Sequence, residues 1–492
     1  MTTKARTEYE VVVGVEVHVQ LKTRSKMFCA CPRDYYNAEP NTHVCPVCLG
    51  APGVLPVINR EAVHFTILAG LAMGCEIPAE SKFDRKNYPY PDLMKGYQIS
   101  QYDRPLCVGG ALEIEGDDGP KTVRLERIHL EEDTARLLHR DDGAEPYSLI
   151  DVNRSGVPLM ELVTKPDMRS GHETAAFLRT LRQLLRYLEI SDADMEKGSF
   201  RFDVNLSLRP RGTQPLGTKV ELKNMNSFRS AQRGVEFEVQ RQSAILESGG
   251  RILLETRGFV DATGETASQR SKEEAHDYRY FPEPDLPPLR IPVEEVAALR
   301  ERLPELPDAK RARFEREYGL PHDEAALLAE TRARAGAFEE AVRAAGDPKR
   351  ARAVAHWLIG DVARHLNALG ADAELADTRV TPAHIGELAR LVEERTVTAS
   401  SAKEVLDAAF ESGEMPAAIV EARGLRIVSD AGAIDEVARR VIEANPKAVD
   451  DYRGGKESAI KFLVGQVMRE MRGRADPNGA TEALRSHLEA GR

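Results

Sequence analysis

Two side chains with complementary donor atoms, Glu16 and His18, stand two residues apart near the start of this 492-residue chain. They belong to residues 11–21, Val-Val-Val-Gly-Val-Glu-Val-His-Val-Gln-Leu. Strict alternation puts Val15, Val17, Val19 and Leu21 on one face of a strand and Gly14, Glu16, His18 and Gln20 on the other. The polar face either offers an oxygen and a nitrogen to one metal ion, or is a solvated face with an incidental histidine. Three further stretches repeat the device. Residues 128–133 end in the acidic run Glu131, Glu132 and Asp133, residues 158–163 carry Glu161 in an apolar strand, and residues 200–208 set Arg201, Asp203, Asn205 and Ser207 opposite an apolar face. A carboxylate is almost never buried without a cation, so Glu161 needs a metal ion or a Lys or Arg partner. Four strands that each bring an acid to a polar face predict a sheet holding hard cations such as Mg2+ or Mn2+, whose natural use is to neutralise a nucleotide triphosphate.

A second constellation is Cys29-Ala-Cys31 followed after thirteen residues by Cys45-Pro-Val-Cys48. Two close pairs can fold around one tetrahedral ion, so these four thiols predict a closed structural zinc site; four unrelated buried thiols are the alternative. Cys75 and Cys107 stand apart and are expected in cores. Residues 82–102 are dense in cations, aromatics and prolines and form no periodic element. There Arg85 and Lys86 suit phosphates and Tyr88 suits a base or ribose, unless the aromatics simply pin a surface loop. Near the end, residues 453–474 hold six cations (Arg453, Lys456, Lys461, Arg469, Arg472, Arg474) against Glu457 and Glu470. This local excess, with Arg453 and Lys456 beside two glycines, fits a phosphate backbone or a solvated helix face.

Those side chains need a large scaffold. The chain is 42% hydrophobic, enough for two to four domains of ordinary size. Its 68 basic and 79 acidic residues leave a net charge of -11, so nucleic-acid contact must come from a local patch. Neither an 18-residue apolar run nor a signal-like start is present, and six cysteines in so long a chain speak against a disulfide framework; a cytoplasmic protein is expected. Asn59 caps a helix that Gly74 ends, and Ser170 with Glu173 opens an amphipathic helix whose Phe177, Leu181, Leu184, Leu185 and Leu188 line one face. Residues 219–224 form another short strand with Glu221 and Lys223 on its polar side. After the proline-rich 277–288 the composition turns to Ala, Glu, Arg and Leu at helical spacing. The expected organisation is an α+β domain over 1–292 with a zinc knuckle at 29–48, followed by helices.

Several long motifs together resemble one family. They are Gly-Val-Glu-Val-His-Val-Gln-Leu at 14–21, Cys-Pro-Val-Cys-Leu-Gly at 45–50, Phe-Asp-Arg-Lys-Asn-Tyr at 83–88, Asp-Val-Asn-Arg-Ser-Gly-Val-Pro-Leu at 151–159, Asp-Tyr-Arg-Tyr-Phe-Pro-Glu-Pro-Asp at 277–285 and the Gly-Gly-Lys of the tail. In this order they are similar to the B subunits of bacterial aspartyl/glutamyl-tRNA amidotransferases. The resemblance implies a cradle domain on a twisted antiparallel sheet like that of glutamine synthetase, then a helical domain over 293–400 and a helical tail over 401–492 that grips tRNA. It implies that ATP phosphorylates the side-chain carboxylate of Glu on tRNA(Gln) or Asp on tRNA(Asn), after which ammonia displaces phosphate. It carries Mg2+ ligation to Glu16, His18, Glu131, Glu161 and Asp203, with the choice among Glu131, Glu132 and Asp133 open. The chain has no Walker A pattern and no amidase or Cys/His glutaminase signature. Ammonia is therefore expected from another chain, which the resemblance makes an amidase-type A subunit accompanied by a small C subunit. A non-catalytic tRNA-binding scaffold and a metal-dependent phosphohydrolase are the competing readings.

Overall fold

The structure, a computed structural model, describes residues 9–141, 143, 145–271, 278–370, 373–427, 431–471 and 473–490. The chain divides into two compact units, Met1–Leu306 and Pro307–Arg492. Elements of the first unit run in the order β1 (Tyr9–Gln20), α1 (Arg60–Ala72), β2 (Glu80–Ser81), β3 (Asp84–Asn87), β4 (Tyr97–Ser100), β5 (Cys107–Val108), β6 (Ala111–Gly116), β7 (Gly119–Glu132), β8 (Arg136–Arg140), β9 (Tyr147–Asp151), β10 (Pro158–Thr164), α2 (Gly171–Tyr187), β11 (Phe200–Pro210), β12 (Val220–Lys223), α3 (Phe228–Glu247), β13 (Glu255–Val260), β14 (Glu265–Ser271), β15 (Phe281–Pro282), β16 (Leu289–Arg290) and α4 (Val293–Glu301). Nine strands make one sheet in the order β14-β13-β12-β11-β1-β10-β7-β5, with β6 also paired to β7.

The alternation of β1 is what fixes its place. Val13, Val15, Val17, Val19 and Leu21 are 0–1% exposed and join one core with Phe177 and Leu181 of α2 and Ala231 and Val235 of α3. Each such side chain contributes roughly 1.5–3 kcal/mol by leaving water, and a one-residue slip of register would turn all of them to the wrong face. Asn59 does cap α1, accepting from the amides of Glu61 and Ala62. Ser170 caps α2 by accepting from the Glu173 amide at 3.1 Å, and Phe177, Leu181, Leu184 and Leu185 are buried.

Two features depart from the sequence expectation. The sheet is mixed: β12 and β13 pair in parallel, and α3, which lies between them in sequence, supplies the crossover a parallel pair requires. Residues 82–102 are not a structureless loop, since β3 and β4 pair within them and β15 adds a third strand through Phe281 opposite Arg85. Asp84, Arg85, Lys86 and Asn87 of β3 carry no apolar alternation to read, β4 is only four residues long, and their third partner lies almost two hundred residues away.

In the second unit the described residues form helices around two cores. One gathers side chains from Phe314 to Leu425, among them Phe338, Trp357 and Leu388; the other gathers Ile434, Val441, Leu463, Val467 and Leu484. Among the described residues no helix is long and apolar enough to cross a membrane.

Candidate active site

Pairing in the sheet turns separate polar faces into one. Glu16 of β1 lies opposite Asp203 of β11, while His18 lies opposite Arg201 of β11 and Glu161 of β10. Glu161 in turn lies opposite His129 of β7. Directly opposed residues have Cβ atoms about 5 Å apart, so the row Arg201, His18, Glu161, His129 crosses four strands side by side. Glu131 joins it from the next inward-facing position of β7.

His18 Nε2 is 3.3 Å from Glu161 Oε2 and 3.8 Å from Glu131 Oε2. The fully buried His129 makes the same two contacts with its Nε2, 3.3 Å to Glu161 and 3.4 Å to Glu131. Ser100 and Gln98 of β4 donate to the Glu131 carboxylate at 2.7 and 3.2 Å. One donor atom each from His18, Glu131 and Glu161 lie within 4.8 Å of one another. Two hard oxygens with one imidazole nitrogen are a donor set that Mg2+ or Mn2+ accepts.

Charges in the cluster support each other. Burial opposes ionisation of Glu131, but the Lys86 ammonium 3.8 Å away and His129 hold its carboxyl down at about 2. Burial likewise opposes ionisation of Glu161, yet His129 and His18 hold it well below the usual carboxylate range. Desolvation also disfavours the charged form of His129, and it is outweighed by Glu161 and Glu131, which push the imidazole up to about 9. His18 is raised in the same way.

His18, Glu161 and His129 of this cluster, with the buried Glu131 beside them, form one wall of a cavity of about 440 Å3, whose lining also includes Glu16, Asp203, Glu221 and Lys223 from the sheet and Lys86, Tyr88, Tyr102, Tyr278 and Tyr280 from outside it. In a second row Asn205 donates to Glu16 at 2.9 Å and Lys223 bridges Asp203 at 2.6 Å and Glu221 at 3.5 Å. Lys86 lies 5.1 Å from the centre of the Tyr278 ring, and Tyr102 stacks on Tyr280 at 4.3 Å.

Of the three cofactor-binding candidates, Lys86 and Tyr88 line the cavity and Arg85 does not. Alternation in β3 sends Arg85 to the other side, where it makes two bonds of 2.7 and 2.8 Å to the buried Glu283 and lies over Tyr97. The acidic run also separates. Only Glu131 joins the cluster; Glu132 pairs with Lys95, and Asp133 takes hydrogen bonds from Gln20 at 2.7 Å and Arg201 at 3.0 Å.

The four cysteines converge as their spacing predicts, with one sulfur each within 4.8 Å of the others. Cys45 Sγ and Cys48 Sγ are 3.9 Å apart. Tetrahedral zinc with bonds of about 2.3 Å requires sulfur atoms roughly 3.8 Å apart, so the donors present fit that ion without large movement. Hydrogen bonding with Cys29 pulls the Cys48 thiol down to about 4, helped by the nearby Lys26 ammonium, while the same contact and burial push Cys29 up. The knuckle rests on residues 151–156. Asn153 accepts from the His43 amide at 2.8 Å and donates to the Glu39 carbonyl, and Ser155 donates to the Cys48 carbonyl.

Comparison with known proteins gives the same reading from a different direction. A domain family described as the GatB/GatE catalytic domain matches residues 11–297, and one described as the GatB domain matches residues 336–488. Proteins named as the B subunit of aspartyl/glutamyl-tRNA(Asn/Gln) amidotransferase are similar to the chain throughout. The one from Dehalococcoides mccartyi is 50% identical over 99% of this chain and 100% of its own, and the one from Thermomicrobium roseum is 52% identical over 98% and 99%. The chain belongs to this amidotransferase B-subunit family.

In this family member, sequence reasoning missed His129 and Arg127 although a signal was present. Arg127, His129 and Glu131 follow one another at the same two-residue spacing that singled out Glu16 and His18, and both missed side chains line the cavity. Tyr278 and Tyr280 were visible only as part of a proline-rich motif, whose first residue, Asp277, lies outside the described residues. Of the tail, Arg453 ends the helix Pro446–Arg453 and Lys456 follows it; both are exposed, and Lys456 is 3.4 Å from Asp451. Arg472 of the basic run lies outside the described residues.

Proposed function

We propose that this subunit carries out the ATP-dependent half of tRNA-dependent amidation: it phosphorylates the side-chain carboxylate of Glu on tRNA(Gln), of Asp on tRNA(Asn), or of both, and ammonia then replaces the phosphate. The observation that carries this reading is the convergence of His18, Glu131 and Glu161 beside a cavity that His18 and Glu161 line and that also presents Lys86, Arg127 and Lys223. Carboxylates there repel both ATP and the acceptor acid unless cations intervene. Magnesium held by His18, Glu131 and Glu161 would offset phosphate charge and polarise the γ-phosphoryl group. Lys86, Arg127 and Lys223 add fixed positive charge to the same walls, and Tyr88, Tyr278 and Tyr280 offer ring faces to a base or ribose and restrict water.

In the first step an oxygen of the acceptor carboxylate attacks the γ-phosphorus, the bond to the β,γ-bridging oxygen breaks and ADP leaves. In the second, ammonia attacks the acyl carbon and phosphate departs. Glu16 and Asp203, in the row beside the cluster, suit a second cation: another metal ion, or ammonium arriving as the nucleophile, whose proton a carboxylate can accept. The described residues offer no cysteine in this cavity as a nucleophile for releasing ammonia from glutamine. This fits an amidase-type A subunit as the source, with a C subunit completing a heterotrimer in the cytoplasm. The four-cysteine cluster is closed, so zinc there holds the knuckle rather than reacting. Arg453 and Lys456 are the proposed tRNA contacts, and the domain limits 1–292, 293–400 and 401–492 assign the tail to that task.

A direct test uses ATP labelled at the γ-position and mischarged tRNA in the assembled enzyme, with no ammonia source. Label should move to the aminoacyl-tRNA with wild type and not with His18→Ala. Label released only as inorganic phosphate, independent of tRNA, would favour the phosphohydrolase reading.

A further inference from the structure

One buried cation is left unexplained by the site. Lys26 is 0% exposed and among the largest fully buried side chains of the protein. Among the described residues it forms no ion pair with a carboxylate; its Nζ donates to the His43 carbonyl at 2.8 Å. An ammonium in that position is costly unless a negative charge compensates it, because a single carbonyl dipole replaces only part of its hydration. Its surroundings are the cysteine knuckle. The Lys26 amide donates to the Cys31 carbonyl at 2.9 Å, and His43, the acceptor of its ammonium, lies two residues before Cys45. Gly156 packs against both partners at once: a Cβ there would lie 3.5 Å from Lys26 Cδ and 3.7 Å from Cys48 Cβ. That glycine has φ +84°, and its carbonyl accepts from the Met27 amide at 2.7 Å, which ties the segment carrying Lys26 to residues 151–156, on which the knuckle rests.

We infer that Lys26 is the charge partner of the four-cysteine zinc cluster: a positioning residue whose buried ammonium offsets the negative charge of the metal-bound thiolates and makes zinc retention depend on it. This rests on the zinc reading proposed above. Four thiolates around a divalent ion carry a formal charge of roughly -2 in a mostly dry site, and no second described cation is as deeply buried there. The dependence is mutual. With zinc bound, Lys26 faces the full charge of four thiolates; with zinc removed, less negative charge remains around the same ammonium and its contribution shrinks. A side chain kept for its packing or its hydrogen bond has no such dependence on the metal.

The experiment uses full-length zinc-loaded protein and follows metal release to a chelating dye for wild type, Lys26→Met, Lys26→Gln and Lys26→Arg. The Met and Gln variants should lose zinc roughly tenfold faster or more, the range found when groups supporting a metal's ligands are removed, while Arg, which keeps the charge, should stay near wild type. Melting gives a second reading: Lys26→Met should melt below wild type when both carry zinc, and by a clearly smaller margin after both are stripped under reducing conditions. Unchanged release from the Met and Gln variants overturns the inference, as does equal acceleration in all three variants or an equal loss of melting temperature with and without zinc. Wild-type protein that binds no zinc would instead overturn the cluster reading on which this one rests. If Met does not fold, Gln against Arg still separates charge from packing.

Discussion

Glu161, buried between His18 and His129 at 3.3 Å from each, keeps its charge in an apolar strand because two imidazoles face it, and this reciprocity makes His129 sensitive to pH. Its pKa is raised to about 9 by the buried acids, above the 6.5 or so of an unfolded histidine. The stability it contributes is therefore complete below about pH 6.5 and lost as pH rises through about 9, amounting to as much as roughly 3 kcal/mol. In magnesium-free buffer the wild-type melting temperature should fall between pH 7 and 9, and His129→Gln should flatten that fall while lowering stability at neutral pH. An identical pH profile in the variant would remove His129 from this role. The thiols allow a second measurement at the same scale: Cys45→Ser should lower zinc content and melting temperature while leaving the chemical step nearly intact. Wild type holding one zinc per chain and the variant holding just as much would contradict it. At this scale the convergence of the four cysteines was readable from type and spacing, the acids of the sheet were readable only as candidates for a cation, and the choice among Glu131, Glu132 and Asp133 was not readable at all. That choice depends on which of the three faces β10 and which meets Lys95 or Arg201, and no local pattern carries this.

Among the elements, β1 was legible because strict alternation encodes both its burial and its chemical face, whereas β3 and β4 were not: Asp84, Arg85, Lys86 and Asn87 offer no apolar face to detect, and Tyr97-Gln-Ile-Ser100 alternates over only four residues. Their order comes from long-range partners instead: Arg85 is held by Glu283, and the Asn87 amide donates to the Tyr278 carbonyl at 2.9 Å. The parallel step between β12 and β13 was hidden for a related reason, since α3 reads as a helix whichever strand it leads to. That edge of the sheet carries its own ionic network. Glu238 on α3 is fully buried and accepts from Arg241 at 2.8 Å, Gln242 at 3.0 Å and Thr266 at 2.5 Å, with Arg257 at 3.0 Å. Burial opposes its ionisation, but these donors hold its carboxyl below the usual range. Glu238→Ala leaves Arg241 and Arg257 with Glu255 as their remaining acid, at 3.7 and 2.9 Å, and should cost about 1–3 kcal/mol. Because the folded carboxyl is depressed, this contribution is present above roughly pH 4.3 and lost as pH falls below that. Denaturant melts of the two proteins should therefore converge at acid pH, and a difference that persists unchanged to pH 3 would assign Glu238 a packing role instead.

For the molecule as a whole, composition excluded much and named little: a net charge of -11 said that any nucleic-acid contact must come from a local patch, and the basic run at 453–474, taken with the family resemblance, makes the tail the proposed place for it. If Arg453 and Lys456 meet the phosphate backbone, replacing both by Ala should weaken tRNA binding and reduce the slope of log Kd against log salt by about one to two, with ATP hydrolysis chemistry spared. An unchanged slope would return the basic run to a solvated helix face. The central claim, that the polar face of the sheet performs phosphoryl transfer, is tested most directly by tRNA-dependent ADP release from the assembled enzyme with ammonium supplied in place of glutamine, comparing wild type with Glu16→Gln at saturating Mg2+. Glu16 accepts from Asn205 and lies opposite Asp203, so the amide preserves the strand and the hydrogen bond while deleting charge that matters as the phosphoryl group moves. The account predicts unchanged folding, zinc content and tRNA affinity with ADP release and amide formation slowed by roughly two orders of magnitude or more; wild-type rates of both from Glu16→Gln would contradict it.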